Sequence, residues 1–311
     1  MWEPPHVLLK GQNFMKNIRI TSISFSKKPD ESVWKAVESA GRIGSDLIVL
    51  PETWAGEQEI ELLDSPRVCN LQKLAAQYKT YIVSGMYRKT EKTGRINSAI
   101  LIGRSGEIEG IYDKVYPYWE EFKLNPPVEI GKEPIVFETD FGKLGIAICF
   151  DVNIPSLWHK MAELGAELVV WPSAYSAGTS LMAHAINHNY YIVTSTLEYD
   201  CTVFDITGRK ILYNKSIIGD DILISSIVLD LDRCIFHMNY NERVQELLAN
   251  HSHEIIQETS LIKEQWFVLK SVNESVSVRD LARKYGLTEL RDYKLKMCRE
   301  IDKMRMSTST K

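Results

Sequence analysis

Short apolar runs that recur between helix-like segments are the feature that most constrains the fold of this chain. Two of them, residues 47–50 and 168–170, are apolar at every position, so both faces of these predicted strands should be covered by other elements. Glycine turns at Gly106, Gly142 and Gly208 join several other runs and predict hairpins. Strand–helix–strand units mixed with hairpins favour a layered α/β domain with mixed sheets.

Changes in composition along the chain divide it into three predicted parts. The 311 residues, 44% of them hydrophobic and 25% charged, suit one large globular domain or two modest ones. Regular patterns begin only near residue 16, so residues 1–15 are predicted to be an N-terminal extension and residues 16–232 the main α/β domain. Residues 233–311 are richly charged and short of strand formers, which predicts a helical C-terminal extension for oligomer packing or for covering a pocket.

Charge, cysteine usage and hydropathy argue against several classes of protein. The formal net charge is −4, whereas a mainly electrostatic nucleic-acid binder needs a basic face. The five cysteines are scattered and form no C-x-x-C pair, so neither a disulfide framework nor a zinc ribbon is indicated. No apolar run reaches transmembrane length, and the first residues make a poor signal peptide. We therefore expect a cytoplasmic protein.

Three polar residues at the ends of predicted strands are candidates for chemistry. Glu52 ends DLIVLPE, Lys114 follows the hairpin in EIEGIYDK, and Cys149 ends KLGIAIC; exits of neighbouring strands can converge on one pocket. A carboxylate can take a thiol proton, and an ammonium together with the backbone N–H of Phe150 can hold an oxyanion. Taken singly, however, Cys149 is more often an inert buried thiol, Glu52 a helix N-terminal acid and Lys114 a solvated strand end.

Three sequence blocks resemble the signature blocks of the nitrilase superfamily of carbon–nitrogen hydrolases. The blocks are LIVLPETW, YDKVYPYWEEF and GIAICFDVNIPSLW, in the family's order, and the similarity covers about residues 16–231. The resemblance implies that Glu52 is the general base, Lys114 the oxyanion stabiliser and Cys149 the nucleophile. It also implies a second, positioning glutamate shortly after the lysine, for which Glu121 is the first candidate and Glu120 the runner-up.

The same resemblance sets expectations for architecture and partners. It implies a four-layer α-β-β-α sandwich with two mixed β-sheets, and neither a metal nor an organic cofactor. Two subunits paired through their outer helices would build larger layers, so a homodimer or a higher homo-oligomer is expected. The expected substrate is a small amide-type molecule, and neither nucleic acid nor a membrane is an expected partner.

Residues around the cysteine favour one group of reactions within that superfamily. Phe150 and Asp151 follow the cysteine, whereas nitrilases proper tend to carry Trp-Glu, so an amidase or N-carbamoyl hydrolase is expected and a nitrilase is the alternative. Hydrolysis would pass through a thioester and release a carboxylate with ammonia or an amine. An alternative of another class is a catalytically silent protein that uses the same fold as a binding scaffold.

Aromatic and polar residues placed after strand exits are the predicted pocket walls. Their aromatic character favours a substrate with an apolar portion, although some of these rings could instead pack the core. The predicted substrate-binding residues are Trp54, Tyr118, Trp119, Ser173 and Tyr175.

Two further patterns suggest other functions. His184 and His188 have the i, i+4 spacing that could present two imidazoles to a metal, but no glutamate follows the first histidine as in H-E-x-x-H. The tail resembles a helix-turn-helix, with nine Lys or Arg against five Asp or Glu between Arg279 and Arg305. Acidic residues interleave the basic ones throughout, so an amphipathic packing helix is the preferred interpretation.

Overall fold

Two large β-sheets and one small sheet organise the part of the chain that the structure describes. The structure is a computed structural model that describes residues 17–92, 94–216 and 221–308. The N-terminal extension predicted over residues 1–15 lies outside these ranges. Within them, none of the helices combines the length and the apolar character needed to cross a lipid bilayer.

The first sheet is mixed and draws all but one of its strands from the N-terminal part of the chain. These strands, numbered in chain order, are β1 (Asn17–Ser24), β2 (Leu47–Val49), β3 (Ile60–Glu61), β4 (Tyr81–Arg88), β5 (Ile96–Ile102), β6 (Ile108–Asp113) and β13 (Leu223–Asp230). The spatial order is β13-β1-β2-β4-β5-β6, with β3 beside β4. Strands β1, β2 and β4 run parallel, while β13, β5 and β6 pair antiparallel with their neighbours.

The second sheet is also mixed and follows the first along the chain. Its strands are β7 (Val136–Thr139), β8 (Gly142–Ile146), β9 (Leu168–Ser173), β10 (Tyr191–Thr196), β11 (Asp200–Phe204) and β12 (Lys210–Lys215). The order is β12-β11-β10-β9-β8-β7, in which β8, β9 and β10 run parallel. The predicted strands over 47–50 and 168–170 correspond to β2 and β9, which are buried at every position.

Helices cover the outer face of each sheet. They are α1 (Asp30–Arg42) and α2 (Pro66–Tyr78) on the first sheet, and α3 (Pro155–Glu163) and α4 (Thr179–His188) on the second. Sequence signals fix the start of α2, where Ser65 accepts a hydrogen bond from the Val68 N–H and proline takes the first helical position. A shared apolar core lies between the two sheets. The predicted four-layer α-β-β-α sandwich is therefore confirmed.

Both sheets present the carboxyl ends of their parallel strands at the same edge. Across the sandwich, the Ser22 hydroxyl donates to the Thr194 carbonyl at 2.7 Å, and the Ser24 hydroxyl accepts from the Thr196 N–H at 3.0 Å. Strands β1 and β10 thus run in the same direction. We call the edge beyond the ends of β2, β8 and β9 the carboxyl edge, and the edge at the starts of β9 and β10 the amino edge.

The C-terminal part, predicted to be helical over residues 233–311, contains a third sheet, so that prediction is corrected. The antiparallel strands β14 (Cys234–His237), β15 (Ile255–Leu261) and β16 (Trp266–Ser271) accompany the helices α5 (Val244–Asn250), α6 (Val278–Lys284) and α7 (Leu290–Thr308). Strand β15 lies at a sheet edge with five consecutive exposed positions. Its sequence therefore lacks the apolar alternation by which strands are recognised.

These elements form a unit, the C-terminal module (residues 233–308), that docks on the amino edge. A separate apolar cluster forms its core. Arg279 pairs with Glu167, the residue before β9, at 2.5 Å, and Arg291 donates to the Ala166 carbonyl at 3.4 Å. The module therefore lies at the opposite end of β9 from the exits of the strands, and these contacts give no support to the predicted role of pocket cover.

Candidate active site

Glu52 lies in the turn that follows β2 at the carboxyl edge. Its side chain is buried, with 3% of the residue exposed. Oxygen Oε1 accepts hydrogen bonds from Lys114 Nζ and Asn97 Nδ2, each at 2.8 Å, and Oε2 accepts one from the Ala174 N–H at 2.8 Å. Since Ala174 directly follows β9, the two sheets meet at this carboxylate.

Lys114, the residue after β6, is deeply buried at this edge, with 1% of the residue exposed. Its ammonium donates to Glu52 Oε1 at 2.8 Å and to Glu121 Oε1 at 2.5 Å. Glu121 lies in a 3₁₀ turn (Trp119–Lys123) and is buried, whereas Glu120 is exposed and pairs with Lys123. Of the two predicted positioning glutamates, the structure brings Glu121 to the lysine and leaves Glu120 at the surface.

Cys149 begins a second 3₁₀ turn (Cys149–Asn153) just after β8. It has a φ of 46°, a left-handed backbone conformation that is strained for any residue with a side chain. The thiol is within hydrogen-bonding reach of the Glu52 carboxylate and the Ala174 N–H. The Cys149 carbonyl accepts from Trp171 Nε1 at 3.0 Å. The sulfur is thus held against the acid by a turn that the surrounding contacts keep in place.

Asp151 connects the cysteine turn to the lysine segment. One oxygen of its carboxylate accepts from the Tyr112 hydroxyl at 2.7 Å and from the Ile148 N–H at 2.8 Å, and the other accepts from the Tyr116 N–H at 2.9 Å. Burial raises the pKa of Asp151 to about 6, against the opposing effect of these donors. The residue therefore ties the position of Lys114 to that of Cys149 through the backbone on either side.

Burial and charge set the protonation states of the site at rest. Burial, and next the charge of Glu52, raise the pKa of the Cys149 thiol, so the thiol is protonated at neutral pH. Burial by itself would lower the pKa of the Lys114 ammonium, but Glu52, Cys149 and Glu121 outweigh it and the pKa is raised. The cluster therefore holds a neutral thiol, a fixed cation and two carboxylates, and the thiol must lose its proton before it can attack.

The predicted pocket residues lie in different parts of the structure, and two of them, Trp54 and Ser173, are buried. Trp54 packs edge-on against Phe25 and Trp34, with ring centroids 5.8 and 5.7 Å apart, under α1 and α2. This places Trp54 in the core, a correction to its predicted place in the pocket wall. Ser173 is fully buried at the end of β9, where its hydroxyl accepts from the Tyr175 N–H at 3.1 Å.

The remaining aromatic residues lie at the mouth of the site. Tyr118 is half exposed, with its ring centroid 5.6 Å from that of Phe150, the residue after Cys149. Burial, and next the nearby Cys149, raise the pKa of Tyr175. Trp119 is 72% exposed and packs beside Phe122. Phe150 and Tyr175 therefore lie near the cysteine, and Tyr118 packs beside Phe150.

Two contributors to the site escaped the sequence reasoning. Asn97 is fully buried in β5 and bridges both glutamates, and the Ala174 N–H fixes the other oxygen of Glu52. An asparagine inside the mostly apolar run INSAILI was an available signal, because a buried polar side chain needs a partner. A backbone N–H carries no such signal in the sequence.

The two histidines of α4, His184 and His188, pack against neighbouring side chains. His184 stacks on Trp158 with ring centroids 4.4 Å apart, and its Nε2 lies 2.8 Å from the Val152 carbonyl. Burial lowers the pKa of His184, and burial with the neighbouring histidines lowers that of His188 to about 3. Across the described ranges, no group of His, Cys, Asp and Glu side chains is arranged to hold a metal ion.

A buried cysteine, acid and lysine meet at one edge of a four-layer sandwich, and comparison with known families identifies the class of protein to which this arrangement belongs. Residues 28–198, more than half of the chain, match the family described as carbon-nitrogen hydrolase. The chain belongs to that family, and the predicted resemblance to the nitrilase superfamily is confirmed.

Individual relatives agree with this assignment. The chain is 26% identical over 199 residues to the chloroplastic omega-amidase of Arabidopsis thaliana, covering 56% of this chain and 54% of that protein. It is 28% identical over 213 residues to a deaminated glutathione amidase of Synechocystis, covering 58% of this chain and 77% of that one. A probable nitrilase of Schizosaccharomyces pombe is 35% identical over 128 residues, covering 39% of this chain and 46% of that protein. The chain thus spans about half the length of the omega-amidase and of the probable nitrilase.

Solved structures share the fold at lower identity. Saccharomyces cerevisiae Nit3, a member of branch 10 of the nitrilase superfamily, superimposes with a TM-score of 0.60 at 19% identity, covering 71% of this chain and 92% of that one. An amidase from Nesterenkonia sp. gives a TM-score of 0.59 at 19% identity, covering 75% and 95%. Both matches support the sandwich architecture.

Proposed function

We propose that this protein hydrolyses the carbon–nitrogen bond of a non-peptide amide or N-carbamoyl compound through a thioester on Cys149. One observation carries the proposal: the carboxylate of Glu52, the ammonium of Lys114 and the thiol of Cys149 lie together in one buried cluster, although they are 62 and 35 positions apart in the chain. Membership of the carbon–nitrogen hydrolase family supports it.

The first half of the proposed reaction forms the thioester. Glu52 takes the thiol proton as the sulfur attacks the carbonyl carbon, and the oxygen becomes an oxyanion that the Lys114 ammonium stabilises. The backbone N–H of Phe150 is the proposed second donor. The oxyanion then collapses, the carbon–nitrogen bond breaks, and Glu52 gives its proton to the departing nitrogen, which leaves as ammonia or an amine.

The second half of the reaction releases the acid. Glu52, ionised again, takes a proton from a water molecule that attacks the thioester carbon. The second oxyanion forms in the same position, the carbon–sulfur bond breaks, and the proton held by Glu52 returns to the sulfur. One carboxylic acid leaves and the resting thiol is restored. Each step uses a group whose protonation state at rest matches its role, because the thiol starts neutral and the ammonium stays charged.

Aromatic rings at the mouth of the site favour a substrate with a flat or apolar acyl part. Phe150 and Tyr175 lie near the cysteine and Tyr118 packs beside Phe150, so aromatic faces and edges are available at the mouth of the site. Relatives named as amidases support an amide over a nitrile. The match to a probable nitrilase keeps nitrile hydrolysis as the second candidate.

A second copy of the chain is the proposed protein partner. The outer face formed by α3 and α4 carries a groove of about 550 Å³ between Pro155 and His188, and Met182 on that face is 42% exposed. Pairing of these outer helices would cover the groove. Sedimentation equilibrium of the full chain measures the number of subunits directly, and a monomer at micromolar concentration would contradict this part of the proposal.

A panel of amides, N-carbamoyl compounds and nitriles, read by ammonia release and by intact mass, tests the proposed activity. We expect turnover of one class and, in acid-quenched wild type, an acyl adduct whose mass identifies the acyl group, whereas Glu52→Gln, which lacks the base for both half-reactions, should release no ammonia. Cys201 is a matched control, because it is buried and burial raises its pKa to about 12. Iodoacetamide should label Cys149 and leave Cys201 unmodified. No turnover across the panel, together with an unreactive Cys149, would leave only the binding-scaffold alternative.

A further inference from the structure

Asn97 is a buried polar side chain near the start of β5, a strand that is buried at every position. Its Nδ2 donates to Glu52 Oε1 and to Glu121 Oε2, each at 2.8 Å. Ionised carboxylates only accept hydrogen bonds, so the reverse orientation would place the amide oxygen against two anions. Within the described chain, Asn97 Oδ1 makes no hydrogen bond, so satisfying the two glutamates leaves the other end of the amide without a partner.

The backbone of Asn97 reaches the third member of the cluster. Its carbonyl accepts from the Lys114 N–H at 2.8 Å, while the Lys114 ammonium bridges the same two glutamates from the other side. Two donors therefore occupy Glu52 Oε1. The remaining oxygen, Oε2, lies beside the Ala174 N–H, which also contacts the Cys149 thiol. Oxygen Oε2 is thus the oxygen that neither Lys114 nor Asn97 occupies, and it shares the Ala174 N–H with the thiol.

We propose that Asn97 is a positioning residue that fixes Glu52 so that Oε2 exchanges its proton with Cys149. Without the two amide N–H donors, Glu52 and Glu121 would compete for one ammonium, and either oxygen of Glu52 could turn towards the lysine. The effect on turnover rests on the proposed function. The effect on thiol reactivity can be measured without any substrate, so the positioning role of Asn97 and the proposed function are tested separately.

Asn97→Asp tests this proposal because it keeps the shape of the side chain and removes the donors. Asn189→Asp is a closely matched control. Asn189 is 6% exposed, its Nδ2 donates to two backbone carbonyls (Ile186 and Ile206, each at 3.1 Å), and its Oδ1 also lacks a hydrogen bond in the described ranges. It lies just before β10, at the amino edge. The same chemical change is therefore made at both ends of the sheets.

The measurement is the rate of Cys149 alkylation by iodoacetamide between pH 5 and pH 9, followed by peptide mass mapping, because the exposed Cys298 and the half-buried Cys69 also react. We expect Asn97→Asp to slow alkylation about 10- to 100-fold at pH 8, the size expected for losing hydrogen bonds to charged groups. The difference in alkylation rate between wild type and Asn97→Asp should become smaller towards pH 5, where the new carboxyl group takes up a proton and can donate again. Amide hydrolysis should follow the same pH dependence, and Asn189→Asp should match wild type at every pH.

The titratable groups that face position 97 are few and can be assigned. Glu52 reaches it from the turn after β2, Glu121 from the 3₁₀ turn (Trp119–Lys123), and Lys114 from the end of β6, with Tyr87 of β4 3.5 Å from Glu121. A new pH dependence in Asn97→Asp that is absent from Asn189→Asp therefore reports on this cluster.

Two further variants serve as controls in case Asn97→Asp misfolds, and thermal unfolding shows which variants are folded. Asn97→Ser keeps one donor and Asn97→Leu keeps none, so we expect alkylation rates in the order wild type, serine, leucine. Equal rates and equal pH profiles in wild type, Asn97→Asp and Asn97→Leu would overturn the positioning role. If wild type hydrolyses no amide while the alkylation rates follow the expected order, the proposed function fails and the positioning role stands.

Discussion

The two ends of the sandwich carry two charge clusters of different composition, one buried and one partly buried. At the carboxyl edge, two carboxylates (Glu52 and Glu121) surround one ammonium, Lys114. At the amino edge, Arg279 pairs with Glu167 and Glu289, and a second guanidinium, Arg291, pairs with Glu289 at 3.4 Å. The first cluster has one carboxylate in excess, whereas these four residues of the second are balanced.

The difference in charge balance between the two clusters matches the different roles that we propose for them. At the amino edge, burial would raise the pKa of Glu289, but Arg291 and Arg279 outweigh it and the pKa is lowered. That cluster is fixed in one charge state and holds the C-terminal module to the sandwich. At the carboxyl edge, the excess carboxylate lies against a neutral thiol. A buried group able to accept a proton is what acid–base chemistry needs, and it is what a purely structural ion cluster lacks.

Replacing one cation by methionine in each cluster tests this comparison most sharply. Of the two variants, Lys114→Met should have the larger effect. Losing the oxyanion donor should lower kcat by at least about 100- to 1000-fold. Leaving two buried carboxylates unpaired should also lower the free energy of unfolding by about 3–5 kcal/mol. Steady-state kinetics and urea denaturation measure the two effects, and a kcat near that of wild type would remove the lysine from the mechanism.

Arg279→Met should produce the stability loss without the catalytic loss. We expect the free energy of unfolding to fall by about 1–3 kcal/mol, less than in Lys114→Met, because Arg279 is 25% exposed and solvent screens the charges that Glu167 and Glu289 keep. Under conditions where the variant stays folded, kcat should remain within about threefold of wild type, since the cluster lies at the opposite edge from Cys149. A kcat loss as large as that of Lys114→Met would show that the two edges are coupled.

Asp151→Asn should have an intermediate effect that depends on pH. An amide group cannot accept from all of the Ile148, Tyr116 and Tyr112 donors, so we expect a loss of about 1–3 kcal/mol. The pKa of Asp151 is raised to about 6, above its usual value of 3.8, so its contribution favours the folded state below about pH 4 and is lost as pH rises through 6.

The difference between wild type and Asp151→Asn isolates that contribution. The free energy of unfolding of wild type minus that of the variant should fall between pH 4 and pH 6. Urea denaturation at three pH values measures it. A difference that stays flat would mean that Asp151 is ionised throughout and that its three donors dominate over burial.

Trp119→Ala should have the smallest effect of the four. The side chain is 72% exposed, so the free energy of unfolding should change by less than about 0.5 kcal/mol. If the ring contacts the acyl part of the substrate, KM for an aromatic amide should rise a few-fold while kcat stays unchanged. Lys123→Ala, in the same turn and equally exposed, is the control. Identical KM values in wild type and Trp119→Ala would remove Trp119 from the pocket.

Prediction from sequence worked where the signal was local. Fully apolar runs gave β2 and β9, and the three sequence blocks identified the family and the sandwich. It failed at β15, an exposed edge strand without apolar alternation, and at Trp54, an aromatic residue that follows a strand exit but packs inward. The first error arises because an edge strand can be polar on both faces. The second arises because residue type does not reveal on which side of a turn a ring lies.

The sequence by itself determined the covered strands β2 and β9 and the family, and it predicted the acid, the lysine and the thiol that the structure brings together. Only the tertiary structure decided that Glu121 and not Glu120 meets Lys114, that Asn97 holds both carboxylates, and that the C-terminal module docks at the end of the strands away from Cys149. The physical reason is that apolar periodicity is a property of neighbouring residues. Hydrogen bonds and buried charges depend instead on which distant segments the folded sheets bring to the same edge.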